Sequence, residues 1–240
     1  MRPRICILLN SLDNYDFDEL LKHYLPAEKF EVEIAEHFPD NPLAYSLIVP
    51  WSYKKIIKNA EQAANVVVIH SSDLPDGKGW APIYHAFSEQ KNEYVMSAIY
   101  AVGKVDAGDI IAQVKFNIGP DYTAGFIRSL DNELSLLIIQ KILEKWPNQK
   151  PLAVRQIGKS SHRKRRYPHD NEINLSQSLE FLLPHLRGVE TCSPAFFYYK
   201  NIKYLIEVRP EKVPCNPTDV TISFPGLSKT ELWCDWYDPA

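Results

Sequence analysis

Residues 65–70 read NVVVIH. Three valines and an isoleucine follow one another with no polar residue between them. An amphipathic surface strand would alternate, and an isolated helix would need a longer run. A short β-branched segment that is apolar on both faces belongs inside a sheet covered from both sides, which is the situation of parallel strands in α/β proteins. Arg4–Leu9 and Ser46–Pro50 read as further compact strands, and Phe30–Ile34 alternates like an edge strand. Between them, Asp16–Tyr24 has helical spacing, with Phe17, Leu20, Leu21 and Tyr24 on one face, and Tyr53–Gln62 also reads as a helix. Strands alternating with helices predict an α/β fold with a mostly parallel sheet.

Beyond this run, SSDLPDGKGWAP is rich in Ser, Asp, Pro and Gly and reads as a loop. Pro82–Ser88 reads as a short helix, Tyr94–Val102 and Ile111–Ile118 as strands, and Lys104–Ile110 as the turn between them. Thr123–Trp146 is the longest helical pattern, with Phe126, Leu130, Leu134, Leu137, Ile138 and Ile142 as its apolar stripe. The texture changes near Pro151, where basic and aromatic residues and Pro become frequent. A chain of 240 residues has room for one large domain plus an appendage. The expected division is a main α/β domain over 1–150 and a small α+β extension over 151–240. In the extension, Phe196–Tyr199 and Ile202–Val208 read as two strands joined at Lys200–Asn201, for dimerisation or substrate binding.

The formal net charge of −3 gives the whole chain no bias toward nucleic acid. No stretch approaches the ~20 apolar residues of a membrane helix. Cys6, Cys192, Cys215 and Cys234 are scattered without metal-ligand spacing, which reads as free thiols in a reducing cytoplasm, with no metal.

His70 ends the buried strand and opens the loop. Ligands of parallel sheets sit beyond the carboxyl ends of the strands, so His70 is either an acid–base group or a packed strand-end residue. Asp106 and Asp109 lie in the second turn, where Asp commonly serves the backbone; either could instead orient His70. Gly77, Lys78 and Gly79 do not satisfy a phosphate-loop motif, and Ser71 and Ser72 do not sit in a hydrolase elbow. HRKRR at 162–166 is a solvated basic face or an anion site.

Two of these segments together, HSSDLPDGKGWAPIYHAF and KVDAGDIIAQVKFNI, resemble the formyltransferases that use 10-formyltetrahydrofolate. The hallmark of that family is a strand ending in Asn-x-His, then Pro-Ser-Leu-Leu-Pro, a Gly-Pro loop and a downstream Asp-x-Gly-Asp. The segment RRYPHDNEINLSQSLEFLLPHLRGVETCSPAFFYYKNIKYLI is similar to the tail of bacterial nucleotide-sugar N-formyltransferases. The resemblance implies a Rossmann-like catalytic domain over 1–150, 10-formyltetrahydrofolate as co-substrate and a nucleotide-linked amino sugar as acceptor, in a possible homodimer. It implies His70 and Asp106 as the catalytic pair, with Asp109 less central. It also implies Trp51, Ser52, Tyr53 and Ile57 along the folate pocket, and Asp73, Lys78 and Trp80 toward the acceptor. The motif Asn falls on Val68, and Asn65 is a doubtful substitute. One lost oxyanion donor can cost ~3 kcal/mol in the transition state. Formyl transfer to another amine, hydrolysis of the formyl-folate and a non-catalytic folate-binding role stand as alternatives.

Overall fold

A computed structural model describes residues 2–10, 18–51, 53, 55, 57, 65–146, 150–226 and 230–237. The first strands form as their composition requires. β1 (Arg4–Leu8), β2 (Glu31–Ala35) and β3 (Leu47–Pro50) pair in parallel in the order β2-β1-β3. β4 (Val67–His70) continues this half through a parallel bridge between Ile48 and Val66. α1 (Asp18–Tyr24) connects β1 to β2, while most of the helix expected over Tyr53–Gln62 lies outside the described residues.

The other half of the sheet departs from the parallel reading. β6 (Glu93–Tyr100) and β7 (Ile110–Asn117) run antiparallel to their neighbours, and β7 is followed by β11 (Val220–Ser223) and β12 (Glu231–Trp233). The connection from β6 to β7 is only a short turn, which permits an antiparallel partner and not a crossover. The last two strands are the second departure. They come from beyond Pro151 but complete the main sheet, burying Val220 and Ile222. The region after 151 is therefore not a separate appendage; it leaves the sheet and returns to it.

α2 (Pro82–Ser88) and α3 (Ala124–Lys145) pack on this framework. The Thr123 hydroxyl caps α3 by accepting from the Phe126 amide at 3.5 Å. The single stripe expected for α3 proves too narrow. Leu136 and Ile139 are as buried as Leu134 and Ile138, and a helix apolar on more than one side is covered on more than one side. The described part of 151–226 adds α4 (Leu179–Gly188) and the hairpin β9 (Ala195–Tyr199) with β10 (Ile202–Ile206). α4 packs on α2 so closely that a Cβ at Gly188 would lie 3.0 Å from the Phe87 Cβ. Of the aromatic cluster, Phe196 is buried, whereas Tyr198 and Tyr199 are exposed. Among the described residues, no helix is long and apolar enough to cross a membrane.

A small parallel ladder fixes the remaining geometry. β5 (Lys78–Gly79) pairs with β8 (His162–Arg163), Lys78 opposite His162 and Gly79 opposite Arg163. Gly79 has φ +98°, and a Cβ there would sit 2.6 Å from the Arg163 carbonyl oxygen. Only glycine allows both the backbone angle and that approach.

Candidate active site

His70 sits at the carboxyl end of β4, opposite Ser97 of β6, and its side chain is 10% exposed. The following loop turns back over it, so that His70 Nε2 lies 2.9 Å from the Gly77 carbonyl oxygen. A carbonyl only accepts, so Nε2 carries the proton and donates. This leaves Nδ1 as the basic atom of the neutral ring. It faces Asp106 Oδ2 at 3.7 Å, beyond hydrogen-bond length. Asp106 Oδ2 accepts instead from the Gly79 amide at 2.8 Å. If the ring takes up a proton at Nδ1, both nitrogens then point at oxygens, one of them an anion. The pocket is thus complementary to the imidazolium that general-base action creates.

Asp106 is held in place by its turn. Its φ of +50° lies in the left-handed region, which Asp tolerates better than most residues. Gln156 Nε2 donates to the carbonyls of Asp106 at 2.9 Å and Gly108 at 2.8 Å, clamping the turn from the C-terminal half. The opposing loop is clamped from the same side. Ser161 Oγ accepts from the Gly77 amide at 2.8 Å and donates to the Asp76 carboxylate. Irregular sequence around 156–161 gives no local signal of either role. Asp109 contributes a backbone carbonyl to the Tyr100 amide at 3.1 Å, and its residue is exposed.

Asp131 on α3 is a carboxylate that pattern reading missed, because one Asp within an apolar helix carries no motif. It is buried, and its Oδ1 accepts from Ser71 Oγ at 2.6 Å and from Tyr94 OH at 2.7 Å. Ser71, the residue after His70, thereby ties the start of the His70 loop to α3. Burial pushes the Asp131 carboxyl above the usual range; the Ser71 bond, Arg128, the Tyr94 bond and a protonated His70 pull it down. A carboxyl raised in the folded state stabilises the protein fully below its unfolded value of about 4, and that stabilisation is lost as pH rises through the folded value. Asp131→Asn retains an acceptor but cannot ionise. Urea midpoints of the variant are expected to gain on wild type as pH rises above about 4; a difference that stays flat with pH would refute the assignment.

The remaining expected site residues separate. Trp51 is 6% exposed and packs into the main core, while Tyr53 and Ile57 pack on the other face of the parallel strands, against Cys6, Leu8, Ile48 and Val66. These three residues do not form one wall, and Ser52 lies outside the described residues. Asp73 accepts from Gln113 Nε2 at 3.0 Å, a tether of its loop to β7. Lys78 is 7% exposed and precedes Gly79, whose amide bonds Asp106, and Trp80, which follows Gly79, is 42% exposed. Val68 packs with Leu74, Ile99 and Ile110, so the motif position of the Asn is apolar here. Asn65 does not replace it. Its amide donates to Pro42 O at 3.1 Å and to Tyr45 O, at the opposite end of the strand. Ser72 Oγ is different: it is buried, lacks a hydrogen-bond partner among the described residues, and lies in the His70 loop next to Gly77.

Among the described residues, no group of three or more His, Cys, Asp or Glu is placed to hold a metal, and the four cysteines are free thiols. A cavity of about 480 Å³ lies away from His70, between residues 172–175 and β9.

Comparison with known proteins places the chain among formyltransferases. A methionyl-tRNA formyltransferase from Halalkalibacterium halodurans is 34% identical over 125 residues, covering 49% of this chain and 38% of its own length. The chain thus spans about two-fifths of that relative. A 4-N formyltransferase from Francisella tularensis superimposes with a TM-score of 0.70 at 14% identity, over 88% of this chain and 99% of that one. HypX from Aquifex aeolicus in complex with tetrahydrofolic acid gives a TM-score of 0.67 at 15% identity, over 86% of this chain and 37% of that one. The family model described as formyl transferase matches residues 14–138, which include β4, His70, the Gly79 loop and Asp106. With more than half of its length matched and His70 facing Asp106 across that segment, the chain belongs to the formyl transferase family.

Proposed function

We propose that this chain transfers the formyl group of 10-formyltetrahydrofolate to the amine of a nucleotide-linked amino sugar. The observation that carries the reading is His70 itself, with Nε2 fixed on the Gly77 carbonyl and Nδ1 turned toward Asp106. The folate supplies the formyl carbon. The family resemblance puts the donor near the chain leaving β3; Trp51 and the pair Tyr53 and Ile57 pack on different faces there, so they do not by themselves define the folate pocket. The fold shared with a tetrahydrofolate-bound protein supports a folate site, and the fold shared with a sugar N-formyltransferase from Shewanella, at a TM-score of 0.68 and 13% identity, supports a sugar amine.

The proton accounting follows from the site. A C–N bond forms between the acceptor amine and the formyl carbon, and the amine proton passes to His70 Nδ1. Asp106 holds the resulting imidazolium. The C–N bond to the folate then breaks, and His70 returns the proton to the departing nitrogen, leaving tetrahydrofolate and the formamide. Asp106 keeps its place throughout, because the Gly79 amide and not His70 is its hydrogen-bonded partner.

The formyl oxygen gathers negative charge as the amine adds. With Val68 at the motif position, we take the Ser72 hydroxyl, sealed beneath the His70 loop and without a partner among the described residues, as the donor to that oxygen once substrate opens the loop. Ser72→Ala is expected to lower kcat by about 100-fold with little change in KM for the acceptor. An unchanged kcat would remove Ser72 from the role.

The activity is tested by incubating the chain with 10-formyltetrahydrofolate and a panel of dTDP-, UDP- and GDP-amino sugars, with methionyl-tRNA in a parallel arm. Mass spectrometry should show a sugar product in which formyl replaces hydrogen. Formylation of methionyl-tRNA alone would transfer the reading to an aminoacyl acceptor. Tetrahydrofolate formed with no formylated acceptor would make the activity a hydrolysis.

A further inference from the structure

The β5–β8 ladder has two electrostatically different faces. Paired residues of a ladder share a face, so Lys78 and His162 lie on one side and Arg163 on the other. Arg163 is neutralised: its guanidinium bonds Glu89 at 2.7 Å and lies 3.7 Å from Asp76. The Lys78 side is not. Lys78 is 7% exposed, and among the described residues no carboxylate pairs with Lys78, Lys164 or Arg165. The Lys78 ammonium is not among the sealed, unpartnered polar atoms, so its stem is buried while its charge reaches solvent, where an arriving anion meets no competing carboxylate.

Next to this unpaired charge lies an aromatic row. The Arg165 guanidinium sits 4.8 Å from the Trp80 ring centroid and 5.4 Å from that of Tyr167. Trp80 remains open to solvent at 42% exposure, whereas the Tyr167 ring is already stacked on His169, with centroids 5.6 Å apart. Flat, cation-backed aromatic surfaces take planar heteroaromatic rings, and every nucleobase has such a face. The row starts at the catalytic pair, since Lys78 and Trp80 flank Gly79, whose amide holds Asp106.

We infer that this ledge is the binding site for a nucleoside diphosphate, with the base against Trp80 and the phosphates against Lys78, His162 and Lys164. The inference rests on the nucleotide-linked acceptor proposed above and assigns its non-reacting end. The basic run at 162–166 thereby divides, with Arg163 and Arg166 holding the fold and Lys164 and Arg165 facing the ligand. Arg166 is committed to Asn171 Oδ1 at 2.6 Å and to the Tyr84 ring, its guanidinium 3.4 Å from the centroid.

Calorimetry with UDP, dTDP, uridine and inorganic pyrophosphate tests it on the full chain, with circular dichroism to confirm folding of each variant. The nucleoside diphosphates are expected to bind more tightly than either uridine or pyrophosphate. Lys78→Met should weaken them by about 10-fold or more through loss of a charge-assisted contact, and Trp80→Ala by a similar factor through loss of stacking. Arg165 is exposed, so Arg165→Ala should fold as wild type while weakening binding by a few-fold. Lys212→Ala, an exposed lysine elsewhere, should leave it unchanged. Equal affinity in wild type, Lys78→Met and Trp80→Ala overturns the ledge, as does failure of every nucleoside diphosphate to bind. Ledge-dependent binding of an acceptor-stem RNA with no binding of nucleoside diphosphates overturns it in favour of a nucleic acid. The two readings fail separately. Nucleoside diphosphate binding through Lys78 and Trp80 with no sugar formylated leaves the ledge standing and removes the activity. Sugar formylation with KM untouched by both variants does the reverse.

Discussion

Replacing His70 by alanine is expected to lower formyl transfer by about a thousand-fold, within the 100- to 10,000-fold span of general acid–base catalysis. The variant should still fold. His70 is buried, but it contributes one side-chain hydrogen bond, to the Gly77 carbonyl, and it lies beyond the apolar body of the sheet. Asp106→Asn probes the same unit more gently. The amide oxygen still accepts from the Gly79 backbone, so the loop stays in position while the negative charge beside Nδ1 disappears. Turnover should fall by about 100-fold or more, because the imidazolium loses its counter-charge. Groups acting as one unit are not additive, so the double variant should be hardly slower than His70→Ala alone. Steady-state rates of all three decide the matter. Near-wild-type turnover in either single variant, or fully multiplicative losses in the double, would refute the pair.

The second large effect concerns the backbone beneath Asp106. A methyl group at Gly108 would lie 1.7 Å from the Tyr100 carbonyl oxygen, far inside van der Waals contact. That oxygen belongs to the end of β6 and cannot swing aside as a flexible side chain could. The turn must therefore move, breaking the Gln156 clamp that spans Asp106 and Gly108. Gly108→Ala is expected to cost about 2–4 kcal/mol of stability and to reduce turnover with it, since Asp106 moves with the turn. Gly125→Ala is the matched control. It lies in the first turn of α3 with no atom near its would-be Cβ, and alanine there should gain about 0.5–1 kcal/mol from helix propensity. Thermal unfolding of both variants checks the contrast; equal midpoints would refute the steric account.

Much of this was legible in the residues. The run NVVVIH fixes a buried strand because β-branched apolar residues on both faces leave it no other place, and the Gly- and Pro-rich segment after it must be a loop. These local rules put His70 at a strand end, and the spacing of the two motifs pointed to Asp106. The same rules could not choose a partner for a strand. β11 and β12 are short and sit among prolines, and they become strands because the edge of β7 is open to them. The parallel half of the sheet was anticipated, whereas the antiparallel half was decided by the short β6–β7 connection.

The supporting residues escaped for a related reason. Gln156 and Ser161 act across 50 and 84 residues of chain, and Asp131 meets Ser71 across 60. Hydrophobic periodicity reports which face of an element is buried; it carries nothing about which polar group will arrive at that face from elsewhere. The sequence by itself therefore determined the strand and the loop, and its family resemblance pointed to His70 and Asp106. Only the tertiary structure decided which way His70 is protonated, what holds Asp106, and that an unpaired lysine lies beside them, because each of these depends on segments brought together by folding.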